Sequence, residues 1–299
     1  MTLKQLEAFY WAATCSSFAI AAQRLHLSLS SLSKRIAELE DSLGQALFDR
    51  SGHKAALTDA GNRLVPRAHA LLRAADELRV EIGTVAGLHG KCRFGVGELT
   101  ALTWLPRLVR MITEAHPGLE LETHVSIGEA LEKRVEDGEL DFAVVAGKST
   151  RGTIASHAIA QAKFVWCMSA QATGRSAPIS PETLGDRPLV TLPTGSGVTR
   201  LLDEWLDGRG SLPERRIVCN HWGAVAGMLV EGIGVGILPQ SWAQSLAKRG
   251  ALRVLRSDPP LPPLAYSFQW RRDDSRPLVG AMRELTLQAA DFQSASRIL

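Results

Sequence analysis

The chain has 299 residues, 45% of them hydrophobic and 22% charged, with 34 Lys+Arg against 31 Asp+Glu and a formal net charge of +3. At roughly 150 residues per domain this is about two domains, each able to bury a core, which excludes disordered, collagen-like and disulfide-stapled chains. The near-even balance carries no whole-chain signature of a nucleic-acid binder, so any basic surface must be local.

The cysteines, Cys15, Cys92, Cys167 and Cys219, lie more than fifty positions apart, too far for the close spacing of metal sites or redox motifs. They read as isolated thiols in a reducing cytosol, with no metal and no cofactor. No stretch approaches the roughly 18 consecutive apolar residues of a membrane span. The amino terminus carries Lys4 and Glu7 rather than a basic head and an apolar block. A cytoplasmic protein without a membrane partner is the expectation.

From Thr2 to about Leu57 apolar residues recur at helical spacing: Leu3, Leu6, Phe9, Ala13; then Phe18, Ala21, Ala22, Leu25; then Leu32, Ile36, Leu39, Leu43. Three short helices follow, separated by turns at Ser16-Ser17 and His26-Leu27-Ser28, whose serines can cap helix starts. One longer period continues through Leu64, Ala68, Leu71, Leu72, Ala75, Leu78, Ile82 and Val85, with Thr58 as cap. Pro66 calls for a kink or a later start there. A helix of this length cannot hide its apolar stripe alone, so it is expected to pair with a second copy, the alternative being that it packs on its own domain.

From Lys91 onward segments that read as short buried strands (Cys92–Val96, Glu120–Val125, Phe142–Ala146, Phe164–Met168, Leu189–Leu192, Val218–Cys219, Val235–Leu238) alternate with helices such as Trp104–Ala115 and Val198–Leu206. The alternation predicts an α/β architecture with mostly parallel strands, and ligands beyond the strands' carboxyl ends.

Phe18 to Leu43 has helix-turn-helix proportions. A helix that enters the major groove needs small polar and basic residues outward, and Ser28, Ser30, Ser31, Ser33, Lys34 and Arg35 supply them. Between Gln23 and Arg35 stand three basic residues, Arg24, Lys34 and Arg35, and no acid.

Reactive constellations are missing. Gly95-Val96-Gly97 lacks the third glycine of a dinucleotide fingerprint, and Gly147-Lys148-Ser149 lacks the first glycine of a P-loop. Gly195-Ser196-Gly197 lacks nucleophile-elbow spacing. Glu139 and Asp141 read as a solvated rim, and His124, His157 and His221 are dispersed. An enzyme is not expected.

Ala21-Ala22, Ser33-Lys34-Arg35-Ile36, Leu39-Glu40, Leu43-Gly44, Leu47-Phe48-Asp49-Arg50 and Leu57-Thr58-Asp59-Ala60-Gly61 together resemble the amino-terminal domain of LysR-type transcriptional regulators. Leu105-Pro106, His116-Pro117-Gly118-Leu119-Glu120-Leu121, Gly138-Glu139-Leu140-Asp141-Phe142-Ala143 and Gly232-Ile233-Gly234-Val235-Gly236-Ile237-Leu238-Pro239 extend the likeness over nearly the whole chain.

The resemblance implies an all-α winged helix-turn-helix over 1–58 and a dimerising linker helix over 59–89. It further implies an α/β effector region over 90–299, with two Rossmann-like lobes resembling a type 2 periplasmic binding protein. Lobe 1 would hold about 90–161 and 266–299, and lobe 2 about 162–265.

Carried over by position, Leu29, Ser30, Ser33 and Lys34 face base edges, Arg50 the DNA backbone, and His53 and Lys54 belong to the wing; Gln23, Ser28, Ser31 and Arg35 complete the interface. Leu29-Ser30 replaces the family's frequent Gln-Pro, and leucine can offer only apolar contact, as to a thymine methyl.

Effector contacts are expected from Glu98, Leu99, Thr100, Ser126, Ile127, Gly147, Lys148, Thr194, Ser196, Thr199, His221 and Trp222. Lys148 and the helix starts favour a small organic anion, and Trp104 and Trp222 would admit an aromatic compound. The implied partners are double-stranded DNA, a small-molecule effector, further copies of the chain as a dimer of dimers, and RNA polymerase. The competing reading is a solute-binding protein of the same two-lobed fold without DNA function.

Overall fold

The structure is a computed structural model that describes residues 1–51, 55–82, 88–172, 178–180, 184, 187–207, 215–274 and 276–293. The first helix, α1 (Leu3–Thr14), opens on a capping box: Thr2 Oγ1 accepts the Gln5 amide at 3.3 Å, and the Gln5 side chain accepts the Thr2 amide at 2.8 Å. Ser17 caps α2 (Phe18–Arg24), and Ser28 caps α3 (Leu29–Leu43), which stops at Gly44 in the left-handed conformation, φ +64°. Phe9, Leu32, Ile36 and Leu39 are fully buried where the three helices meet.

A two-stranded wing follows, β1 (Phe48–Asp49) paired antiparallel with β2 (Ala56–Leu57). Its base is fixed from α3, because Glu40 Oε1 accepts the amides of Leu47 at 2.7 Å and Phe48 at 3.1 Å. The linker helix α4 (Asp59–Ile82) begins directly after Thr58 and contains Pro66, so the later start is not needed. Its stripe divides. Leu64, Ala68 and Leu72 pack on the headpiece core, while Leu71 and Leu78, one heptad apart, are exposed. Val85 falls outside the described residues.

The effector region continues as β3 (His89–Val96), α5 (Glu98–Thr103), α6 (Leu105–Ala115), β4 (Gly118–Val125), α7 (Gly128–Glu136), β5 (Phe142–Ala146) and β6 (Ile154–Ala162). The second lobe holds β7 (Phe164–Ser169), β8 (Leu189–Thr191), α8 (Gly197–Leu206), β9 (Arg216–Val218), α9 (Trp222–Val230), β10 (Val235–Pro239), α10 (Gln240–Lys248) and β11 (Leu252–Leu255). The chain then returns through β12 (Leu264–Arg271) and α11 (Pro277–Ala289). No described helix is long and apolar enough to cross a membrane.

Two five-stranded sheets result, ordered β4-β3-β5-β12-β6 and β11-β7-β10-β8-β9. Each is mixed rather than mostly parallel. In the first, β3 runs parallel to β4 and β5, while β12 inserts antiparallel between β5 and β6. In the second, β8 is parallel to β9 and β10, and β7 is antiparallel to β10 and β11. The strands β6 and β11 escape the sequence pattern because they are partly exposed, and β12 because the buried polar Ser267, Gln269 and Arg271 interrupt its apolar residues; none offers the run of buried apolar residues that marks a parallel core strand.

Lobe 1 is centred on a ring stack: Phe142 lies between Phe94 and Phe268, with centroids 4.8 and 4.5 Å away. All three rings are completely buried. Phe142→Ala should therefore lower folding stability by about 3–5 kcal/mol through lost burial and a cavity, read as a fall in the urea midpoint of the lobe-1 transition.

Candidate nucleic-acid interface and effector cleft

The outer face of α3 is free. Ser28, Leu29, Ser30, Ser31 and Lys34 are exposed and Ser33 and Arg35 half-buried, while Gln23 is exposed near the end of α2. Helical geometry sets Ser30 above Lys34 and Leu29 above Ser33 on adjoining rows. Ser28 Oγ accepts the Ser31 amide at 3.1 Å and lies 2.8 Å from both Ser30 Oγ and Ser31 Oγ, so the helix start is a linked hydroxyl cluster. Leu29 is 53% exposed, an apolar side chain presented outward.

Arg50, at the wing, is exposed and 3.4 Å from Glu40, a contact loose enough for phosphate to replace. The wing tip with His53 and Lys54 falls outside the described residues. The basic count at this surface is smaller than the sequence implies, because Arg24 is buried and its guanidinium is bonded to Asp141 of lobe 1.

The second site is a cavity of about 470 Å³ between the lobes, at the carboxyl ends of β3 and β5. Glu98, Leu99, Ser126, Ile127, Ser196, His221 and Trp222 border it, as the sequence leads one to expect. Thr100, Gly147, Lys148, Thr194 and Thr199 do not. Thr100, two residues past the start of α5, is fully buried. The Thr199 hydroxyl bonds the Leu192 carbonyl at 2.8 Å, which is a turn-closing role. Gly147 lies at φ +91°, and its amide donates to the Ala265 carbonyl at 2.7 Å. That left-handed bend carries the chain off the sheet, and Lys148 and Thr194 finish in solvent. Sequence reasoning missed Val125, Val145, Ala146 and Tyr266, since it searched for polar groups while these strand ends offer apolar walls.

Charge in the cleft is acidic. Glu98 begins α5 in lobe 1 and reaches across to lobe 2, where its two carboxylate oxygens accept the Trp222 amide at 3.0 Å each, with His221 Nε2 3.5 Å away. The start of α9, where a ligand anion could sit, is thus already taken by a carboxylate of the protein. Burial raises the Glu98 carboxyl above the usual carboxylate range, and the Trp222 amide and His221 only partly oppose this. Two further contacts bridge the lobes: the Glu129 amide donates to the Gly195 carbonyl at 3.4 Å, and Arg200 Nη2 to the Ala146 carbonyl at 3.2 Å.

Comparison with known proteins places this arrangement. Residues 3–62 match the bacterial regulatory helix-turn-helix protein, lysR family, and residues 86–291 match the LysR substrate binding domain. The chain belongs to the LysR family of transcriptional regulators. It is a DNA-binding regulator with an effector-binding domain, not an enzyme, and the helix-turn-helix match rules out a solute-binding protein without DNA function.

This LysR-family chain is 26% identical to the HTH-type transcriptional regulator CzcR of Bacillus thuringiensis (strain Al Hakam) over 253 residues, 84% of this chain and 81% of that one. It is 27% identical to the RuBisCO operon transcriptional regulator of Acidithiobacillus ferrooxidans over 256 residues, 85% and 82% of the two chains. Its fold is similar to a full-length OxyR variant from Pseudomonas aeruginosa, with TM-score 0.66 at 22% identity over 98% of this chain and 96% of that one. ArgP from Mycobacterium tuberculosis superimposes with TM-score 0.64 at 18% identity, over 95% and 96%.

The raised Glu98 carboxyl makes a signed prediction. The folded state holds this proton more tightly than the unfolded chain, so its contribution favours folding at low pH and fades as pH rises through the folded value. Glu98→Gln should remove that component. The melting temperature of the variant relative to the parent should climb from pH 4 to pH 6.5, and a constant difference would contradict the assignment.

Proposed function

We propose that this regulator binds operator DNA through Gln23, Ser28, Leu29, Ser30, Ser31, Ser33, Lys34, Arg35 and Arg50, and that a small molecule in the interlobe cleft alters its DNA binding or its oligomer geometry. The observation that carries the reading is the cleft itself, whose walls come from both lobes, so an occupant bonds differently to open and closed states. The effector we favour is an uncharged aromatic or otherwise apolar compound rather than a small anion. Val125, Ile127, Val145, Ala146 and Tyr266 offer it apolar surface, Glu98 offers a hydrogen-bond acceptor, and Lys148 does not border the space.

The exposed Leu71 and Leu78 support pairing of α4 with a second copy. The expected assembly is a dimer of dimers in the cytoplasm, with RNA polymerase as the further partner on DNA. Sedimentation of only monomer at micromolar concentration would sink the assembly.

Two substitutions test the DNA face. Ser33→Ala should relax base preference at one operator position. Arg50→Ala should weaken all duplexes alike and reduce the slope of log K against log salt by about 0.9 for one lost phosphate contact. Unchanged binding in both would refute the placement of α3. For the cleft, a thermal-shift series with uncharged aromatics, amines and matched carboxylates at saturation is the check, since a ligand at 100 times its Kd adds about 2.7 kcal/mol. Stabilisation confined to the carboxylates would overturn the effector class.

A further inference from the structure

The headpiece and lobe 1 meet through buried charge. Asp141, immediately before β5, has a side chain only 5% exposed and accepts from three directions: the Arg24 guanidinium of α2, Arg276 Nη2 at 2.6 Å, and the Arg93 amide at 2.7 Å. Arg276 is also paired with Asp274. The Trp11 ring of α1 lies beneath both cations, 3.9 Å from the Arg24 carbon and 5.1 Å from that of Arg276. Arg24 also donates to the Gly138 carbonyl. Around this centre the Arg271 guanidinium donates to the Thr14 carbonyl at 2.7 Å, Arg93 Nη2 to the Gln23 carbonyl at 3.3 Å, and the Ser16 amide to the Asp137 carbonyl at 3.3 Å.

Every lobe-1 group in this contact sits at the sheet edge opposite the cleft. Asp141 lies immediately before β5, Arg93 sits level with it in the middle of β3, and Arg271 ends β12; the carboxyl ends of β3 and β5 and the start of β12 lead instead to Gly97, Ala146 and Tyr266 of the cavity wall. On the headpiece side the contact occupies the end of α2, the helix that crosses the DNA backbone in this motif. Edge strand β4 stands beside the turn into α3: Arg93 is bonded at once to Glu122, at 3.2 Å, and to His26 of that turn, at 3.4 Å.

We propose that this contact is an autoinhibitory latch: with Arg24 docked on Asp141, lobe 1 blocks the backbone side of the helix-turn-helix, and release of the latch frees the headpiece for DNA. Asp141→Asn leaves every headpiece residue intact and removes the counter-charge that holds Arg24 in the interface. Its affinity should rise about fivefold or more for a duplex that the parent protein selects from a random-sequence pool. Amide hydrogen exchange in residues 15–27 should rise with it. Equal or weaker DNA binding would overturn the latch, as would unchanged exchange.

A reversible lock gives a second, independent arm. A Cβ built on Gly138 falls 2.8 Å from Cys15 Sγ and 3.7 Å from Cys15 Cβ, inside the range of a disulfide. In Gly138→Cys, diamide should form an intramolecular bond to Cys15, identified by peptide mass, that depresses DNA binding until dithiothreitol restores it. The Cys15→Ser, Gly138→Cys double variant should not respond. DNA binding unaffected by the closed bond refutes the proposal. Because Gly138 is at φ +80° and the substitution strains it, failure of this variant to fold leaves Asp141→Asn to decide.

Discussion

Parallel pairing of β3 with β4 and β5 is the constraint on which both ends of lobe 1 depend. Parallel neighbours cannot be joined by a tight turn, so α5 and α6 carry the chain from β3 to β4 and α7 carries it from β4 to β5, and all three strands enter the sheet from the same end. Their carboxyl ends therefore collect on one side, where Gly97, Val125 and Ala146 wall the cavity. Away from those ends, Asp141 at the entry to β5 and Arg93 level with it in β3 meet the headpiece. The antiparallel β12 joins the same two regions in reverse, from Tyr266 to Arg271. With the Phe94–Phe142–Phe268 stack filling the interior between them, displacement at one edge has a rigid body through which to reach the other.

The two edges differ in how they treat charge. At the cleft a single carboxylate, Glu98, spans the lobes and takes the amide at the start of α9, leaving apolar walls around it. At the headpiece edge, burial would push the Asp141 carboxyl upward, but Arg24 and Arg276 more than offset it and hold the group down near 2. Asp141 consequently stays ionised across the physiological range, and its attachment to Arg24 does not titrate there. Control of that contact must come from geometry, which is what a lobe closing over a ligand alters.

Helical periodicity made the headpiece readable: α1 to α4 each bury one face, and serine or threonine caps mark their starts. Of the parallel strands, β3, β5, β8 and β10 were readable as buried apolar runs, whereas β4 and β9, read as buried too, are edge strands with no buried residue. What remained hidden depends on partners distant in sequence. Arg24 counts in the sequence as one of three basic residues in a stretch without acids, but its partner is 117 positions away. Asp141 reads as a solvated rim residue beside Glu139 for the same reason. Thr100 and Thr199 have the chemistry of ligand contacts, but Thr100 is fully buried outside the cavity lining and the Thr199 hydroxyl is spent on the Leu192 carbonyl, which spacing does not encode. Lys148 follows a strand that ends at the cleft, yet the left-handed Gly147 turns the chain outward before it.

A docking contact made of ions rather than apolar side chains fits an interface that must also exist undocked. Exchanging a buried ion pair for packed hydrophobic residues is often neutral or stabilising, so Arg24 and Asp141 are not needed for adhesion alone. Once parted, however, an apolar face would stay in water as a sticky patch. A guanidinium and a carboxylate regain their hydration instead, and this lowers the cost of opening. Removing only one partner has the opposite consequence, since the other is then buried without its counter-charge. The same chemistry thus makes the contact selective when closed and soluble when open, and Trp11, lying under both Arg24 and Arg276, gives the cations an aromatic surface that fixes their position while docked.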